Sequence, residues 1–356
     1  MIIKLKKFKT EIRTIEEIPD TFFNAIENAE SFGDDLFPKW TRGVFGGTSL
    51  FKKFKAVYDK YKAIASKPER DKIINAYSCN IEDLCANVKG TSVIKLTDLH
   101  ESIQEEVDVL FLHLYNSAIN YHAFEAHVKD NLKDAIDLFI KDNGLEVCPF
   151  CGIESFLNLE GQKRIALDHW LYKDLFPMFA VNFDNLFPLG GYCNSRPAKG
   201  TKNILVDDKT KKRVKAFFPY SHNGVTTSFT YINEPSISGI KDLDWSFDIA
   251  PNYPSEQDIF DCWNSTLNIS IRYNSYYKKN VFIMWESDYK RFIEEDHEVH
   301  HANNVNELKG NFKLWRASFP VRGRPGAILY RAFIANLVNN VSDAYLYGLC
   351  ENFKRS

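Results

Sequence analysis

Cys148-Pro149-Phe150-Cys151-Gly152 opens the part of the chain in which cysteine, histidine, aspartate and asparagine gather at short spacings. The stretch runs on through Arg164-Ile165-Ala166-Leu167-Asp168-His169-Trp170 and Val181-Asn182-Phe183-Asp184-Asn185-Leu186-Phe187-Pro188-Leu189. It closes on Cys193-Asn194-Ser195-Arg196-Pro197-Ala198-Lys199-Gly200. Two cysteines separated by two residues can present two thiolates to one tetrahedral ion, with a glycine to turn the chain back. Residues 164–167 read as a strand that delivers a carboxylate and an imidazole side by side at its end. Neighbours on a strand face opposite ways, so Asp168 and His169 serve one site only if the strand breaks there. Residues 181–189 read as a second short strand opened by an asparagine, and residues 193–200 read as the start of a helix that ends in a basic residue and a glycine.

The order strand, loop, strand, helix, with these residues at these spacings, resembles the HNH endonucleases and their ββα-metal fold. The likeness covers roughly residues 145–222, including Phe218-Pro219-Tyr220 as the strand that follows the helix, and leaves about three quarters of the chain outside it. It implies phosphodiester hydrolysis, most simply of DNA. His169 would be the general base that takes a proton from the attacking water, since imidazole titrates near working pH. Asp168 and Asn194 would bind one divalent ion, Mg²⁺ or Mn²⁺, through hard oxygen donors. Asn185 would hold the His169 backbone across the loop, a positioning role within the same catalytic set. Lys199 would reach a phosphate, supported by Arg196 and Lys202.

The chain departs from the family pattern at the second cysteine pair, where Gly190-Gly191-Tyr192-Cys193 puts a glycine in place of the fourth thiolate. Cys148, Cys151 and Cys193 remain as candidate ligands for a structural Zn²⁺. A histidine such as His222, or a water, would complete the four ligands that such a site wants, unless the knuckle is metal-free and held by packing. Pro197 and Ala198 also stand as an insertion before Lys199.

Eight basic residues face two acidic ones over residues 196–215. Beside a hydrolytic site that run suits phosphate-backbone attraction, with Arg196, Lys199, Lys202, Lys211, Lys212 and Arg213 as the DNA contacts. The alternative is a solvated hairpin tip, since Asp207-Asp208-Lys209-Thr210 reads as a turn. Whole-chain charge cannot supply the affinity: 45 Lys and Arg against 47 Asp and Glu give a net charge of −2.

Working outward, 356 residues exceed the usual single domain, and 44% hydrophobic residues with 26% charged describe a chain able to bury a sizeable core. The fold class expected is α+β and mainly helical, a small ββα module between helical flanks. Residues 1–142 form an N-terminal helical domain, 143–234 the nuclease module, and 235–356 a C-terminal helical region. Residues 1–15 read as an edge strand from the near-alternation of Ile3, Leu5, Phe8 and Ile12 with lysines. Helical spacing runs over 51–65, 69–88, 103–140, 255–277 and 331–353, with a break on a glycine expected at Asn143-Gly144. The four other cysteines, Cys79, Cys85, Cys262 and Cys350, lie in helical periodicity and read as small apolar side chains.

No signal peptide or apolar run long enough to cross a bilayer is visible, so a soluble cytoplasmic protein is expected. His297-Glu298-Val299-His300-His301 satisfies the zincin pattern, but its acidic and polar surroundings favour a solvated helix end. A bland core pair is the competing reading of Asp168-His169, and Asn185 and Asn194 at their spacings weigh against it. The second functional reading is a partner-regulated or decayed nuclease acting as an interaction subunit of a defence complex. Size and the absence of other motifs in the flanks point to control by a protein such as an ATPase in anti-phage defence. One such site cuts one strand, so a double-strand cut calls for a homo-oligomer or two successive nicks.

Overall fold

In the computed structural model, residues 4–156, 167–196, 198–221, 227–231, 247–295 and 299–355 are described. Arg164 to Ala166, Pro197, His222, the turn residues from Pro235 to Gly239, and His297 and Glu298 of the zincin-like motif lie outside them. Among the described residues the chain is mainly helical with two small antiparallel sheets, an α+β composition.

The N-terminal part carries α1 (Glu17–Ala25), α2 (Thr41–Phe45), α3 (Leu50–Ala63), α4 (Lys67–Ser78), α5 (Ile81–Ala86), α6 (Glu101–Asn116), α7 (His122–Val128) and α8 (Leu132–Asn143). On α6 the buried residues Ile103, Val107, Leu110, Phe111 and Leu114 recur every three or four positions, which makes one apolar stripe facing α3. Caps, not periodicity, cut the long helical runs. Asn80 accepts the Glu82 and Asp83 N–H groups and so starts α5 three residues after α4 ends. Asn131 does the same for α8, which closes on Gly144 as expected.

Over residues 4–15 the expected edge strand is not formed, and Ile3 lies outside the described residues. Leu5 N–H donates to Pro219 O and Lys6 N–H to Asn143 Oδ1, after which Thr10 caps a 3-10 helix over Glu11–Glu16. Leu5, Phe8, Ile12 and Ile15 are the buried positions, spaced by three or four, so the apparent alternation with lysine was accidental.

In the middle, β1 (Leu167–His169) pairs antiparallel with β2 (Leu186–Pro188), matching Leu167 with Pro188 and His169 with Leu186. A second hairpin joins β3 (Thr227–Tyr231) to β4 (Phe247–Pro251). Among the described residues of 193–200 the expected helix is replaced by turns. Arg196 precedes a proline, which disfavours helical backbone there, and Gly200 adopts φ of +45° against the Arg196 backbone. Phe218-Pro219-Tyr220 is likewise a buried turn and not a strand. The segment's backbone groups are satisfied one at a time: Ala216 N–H by Cys85 O, and Phe217 O by the Trp170 indole.

The C-terminal part holds α9 (Gln257–Leu267), α10 (Ile269–Tyr276), a π-helical turn over Tyr277–Val281, α11 (Phe282–Glu295), α12 (Val305–Ala317), α13 (Ala327–Asn339) and α14 (Asp343–Arg355). It is fastened to the cysteine turn. The Trp263 indole on α9 donates to Phe150 O, and the Tyr273 hydroxyl on α10 to Cys151 O. Cys85, Cys262 and Cys350 are buried as apolar side chains, and Cys79 is partly exposed.

Candidate functional site

The hairpin loop between β1 and β2 is built around one asparagine. Asn185 is fully buried; its Oδ1 accepts from Leu171 N–H at 2.7 Å, and its Nδ2 donates to Leu171 O and Phe179 O, both at 3.1 Å. Its own carbonyl accepts the Trp170 N–H at 2.8 Å. The backbone just after His169 is therefore tied to the far side of the loop by side chain and main chain together. Beneath it Trp170 packs on Phe150 and Phe217, giving the strand end a rigid aromatic floor.

His169 is 4% exposed and stands with the Tyr115 ring at its edge, centroids 4.4 Å apart. Its Nε2 lies 2.9 Å from Ala180 O. A carbonyl can only accept, so Nε2 carries the proton and Nδ1 is left as the basic nitrogen. Burial pulls the imidazole down from 6.5 to about 4, with Lys199 and Lys173 adding to the shift, so the ring is neutral at pH 7.

Asp168 is also sequestered. Lys199, with no exposed side-chain surface, places Nζ 2.6 Å from Asp168 Oδ2. Oδ2 is itself buried, and the Lys199 ammonium is the charge set against it. Burial pushes the Asp168 carboxyl up, and Lys199 opposes that shift. Asn194 sits half-buried in the turn after Cys193, its N–H on Gly190 O.

The basic run divides in two. Arg196, Lys211 and Lys212 are exposed. Three residues expected as DNA contacts are engaged with the protein's own groups. Lys199 pairs with Asp168. Lys202 caps the end of α9 through Ser265 O and Thr266 O at 2.9 and 3.0 Å. Arg213 donates to Leu205 O, Val214 O and Leu84 O. At Lys202 and Arg213 a helix end or loop left carbonyls without intrasegment partners, and a long cation satisfies them.

Cys148, Cys151 and Cys193 are all buried, and their sulfurs lie within 4.8 Å of one another. The trio could hold a metal ion such as zinc. Gly190 N–H donates to Cys148 Sγ at 3.3 Å. Burial pushes the Cys148 thiol up, but hydrogen bonds from the Cys151 and Cys193 thiols and from Gly190 outweigh it and hold Cys148 well below its usual range. Two neighbours that the sequence reading missed complete the cluster. Arg272 on α10 points Nη1 at Cys193 Sγ, 3.1 Å, and Nη2 at Glu154 Oε1, 2.5 Å. No motif links residues 154 and 272 to the cysteines. Only the excess of charge in otherwise apolar surroundings could have marked them.

A polar cleft of about 360 Å³ lies between the N-terminal segment and the hairpin loop, lined by Arg13, Glu16, Asp20, Tyr77 and Asp184 among others. Neither Asp168 nor His169 lines it, so its size says nothing about the hydrolytic constellation. Comparison of the chain with protein-family models, with curated proteins and with solved structures finds no match.

Proposed function

We propose that the chain is a metal-dependent endonuclease of HNH type that hydrolyses phosphodiester bonds in DNA. The observation that carries this reading is the clamped strand end: Asp168 and His169 are the last two residues of β1, paired with Phe187 and Leu186, and Asn185 fixes the backbone that follows them. His169 has the protonation a general base requires, neutral at pH 7 with Nε2 occupied and Nδ1 available. In the proposed reaction Nδ1 takes a proton from water as that water attacks phosphorus, and the 3′ oxygen leaves. Asp168 and Asn194 are the donors a Mg²⁺ or Mn²⁺ ion would take, and Lys199 is the cation that the ion would replace. Such an ion, when bound, would stabilise charge developing on the phosphate and the leaving oxygen. Arg196, Lys211 and Lys212 supply the exposed positive surface for the backbone of the nucleic acid.

One observation favours the second reading, a partner-regulated or decayed nuclease that serves as an interaction subunit. The buried Lys199 ammonium already neutralises Asp168, so the resting chain is charge-balanced without an ion. Plasmid cleavage by the purified chain with Mg²⁺ or Mn²⁺, against EDTA and against His169→Ala, separates the two. Metal-dependent nicking lost in the variant supports the nuclease. A folded chain that does not cut under any of these conditions supports the interaction subunit, with an ATPase of a defence system as the kind of partner to test. A structural Zn²⁺ on the cysteine trio belongs to either reading. No helix among the described residues is long and apolar enough to cross a membrane.

A further inference from the structure

We propose that Glu154 is the fourth ligand of a zinc site whose other ligands are Cys148, Cys151 and Cys193, and that Arg272 is its buried counter-charge. The inference is independent of the nuclease reading, because it concerns what the cysteines bind and not what the chain cuts.

The first support is a substitution in space. A side chain at Gly190, where the family pattern would place a thiolate, would put its Cβ 2.5 Å from Glu154 Oε2 and 2.7 Å from the carboxyl carbon. The Glu154 carboxylate thus fills the volume that a fourth cysteine would have occupied. The second support is ligand-to-ligand distance. Zinc–sulfur bonds of about 2.3 Å and a zinc–oxygen bond of about 2.0 Å at a tetrahedral angle put sulfur and oxygen about 3.5 Å apart. Glu154 Oε1 lies 3.6 Å from Cys151 Sγ. The carboxylate stands at the rim of the trio, with Oε2 accepting the Tyr192 N–H at 2.9 Å, and coordination would draw Oε1 further toward the other two sulfurs.

The third support is charge. Three thiolates, a carboxylate and Zn²⁺ leave two negative charges in a buried place, which needs compensation. Arg272 offsets one of the two: 9% exposed, it donates to Cys193 Sγ and reaches Cys151 Sγ at 3.5 Å, while its guanidinium stacks over the Tyr192 ring at 4.3 Å. Hydrogen bonds of this kind to ligand sulfurs, with that of Gly190 N–H on Cys148, are the outer shell that orients a metal's ligands.

The test uses the full chain loaded with Zn²⁺. X-ray absorption at the zinc edge should give one zinc per chain with three sulfurs at about 2.3 Å and one oxygen at about 2.0–2.2 Å. Glu154→Gln keeps the volume and an acceptor for Tyr192 but is a poor ligand. Chelator competition should then show at least a tenfold loss of zinc affinity. Gly190→Cys combined with Glu154→Ala refills the original position, and should bind zinc through four sulfurs even if the glutamine variant fails to fold. A wild-type chain that takes up no zinc overturns the proposal, as does an imidazole in the first shell. Unchanged affinity in Glu154→Gln would assign the oxygen to water and equally end it.

Discussion

Replacing Lys199 by methionine tests what Asp168 is for. The pair is buried, Lys199 completely and Asp168 with 14% of its side chain exposed, and the ammonium is the cation within 2.6 Å of Oδ2. Removing one partner of a buried pair leaves the other charge uncompensated at a cost of about 3–5 kcal/mol. Denaturant melts of Lys199→Met in EDTA should show that loss. Part of the loss is avoidable by protonation. With its pKa pushed up further, Asp168 becomes neutral as pH falls, so the deficit should be smaller near pH 5 than at pH 8. If Asp168 is a ligand, Mg²⁺ or Mn²⁺ can take the vacated place, and at a hundred times its Kd the ion returns about 2.7 kcal/mol. Asp168→Asn combined with Lys199→Met should be close to wild type in EDTA and gain nothing from the ion. A Lys199→Met chain whose stability no divalent ion improves would refute the assignment of Asp168 as a metal ligand, and with it the proposed chemistry.

Four further outcomes are expected. His169, held neutral with a pKa of about 4 against 6.5 for the ordinary side chain, makes the unfolded chain bind the extra proton between those values. Its contribution, about 3 kcal/mol, is complete above pH 6.5 and lost as pH falls to about 4, so urea melts of His169→Asn should show a flatter rise of stability over that window. An equal slope would mean that the imidazole is not buried neutral. Asn185→Ala strands Leu171 N–H, Leu171 O and Phe179 O inside the loop; a loss of about 2–4 kcal/mol should appear in the same melts, with cleavage, where present, lost as well. Lys211→Glu with Lys212→Glu should weaken DNA binding and lower the slope of log K against log salt by about 2. Arg213→Ala should instead destabilise the fold by about 1–3 kcal/mol with the salt slope unchanged, because its guanidinium serves three carbonyls.

How much of this was legible follows from the range of the interactions concerned. Local signals read well: the glycine stop after α8, the apolar stripe of α6, and a second short strand at Leu186–Pro188. Elements decided by non-local partners did not. The lysine-rich start reads as a strand by composition, yet Pro219 and Asn143 dictate its backbone pairing. The turn at 193–202 contains a helix-like polar pattern, and a single proline with Gly200 cancels it. Lys199, Lys202 and Arg213 look like solvated charge in the sequence because nothing local announces the carboxylate and carbonyls that capture them. Glu154 was invisible for a different reason. Its role depends on the absence of a side chain at Gly190, 36 residues away, and on an arginine 118 residues away.

The two candidate metal sites share one physical arrangement. At each, an oxygen donor expected to face a divalent ion is met by a long cationic side chain, Lys199 on Asp168 and Arg272 on Glu154. Buried carboxylates need a positive partner at all times, and a chain must fold before its ions arrive, so an internal cation beside each donor lets the module assemble without metal. The consequences then differ with the cation. An ammonium is a point charge on a flexible stem and can withdraw in favour of an ion of higher charge, which makes Lys199 a competitor. A guanidinium stacked on Tyr192 and bonded to two sulfurs is held in place, so Arg272 stays and becomes part of the outer shell. Divalent ions at the Asp168 site should therefore bind weakly and exchange, while zinc at the cysteine site should bind tightly and remain through purification. Metal content after exhaustive dialysis reads that difference directly: retained zinc with no retained Mg²⁺ or Mn²⁺ fits it, and the reverse does not.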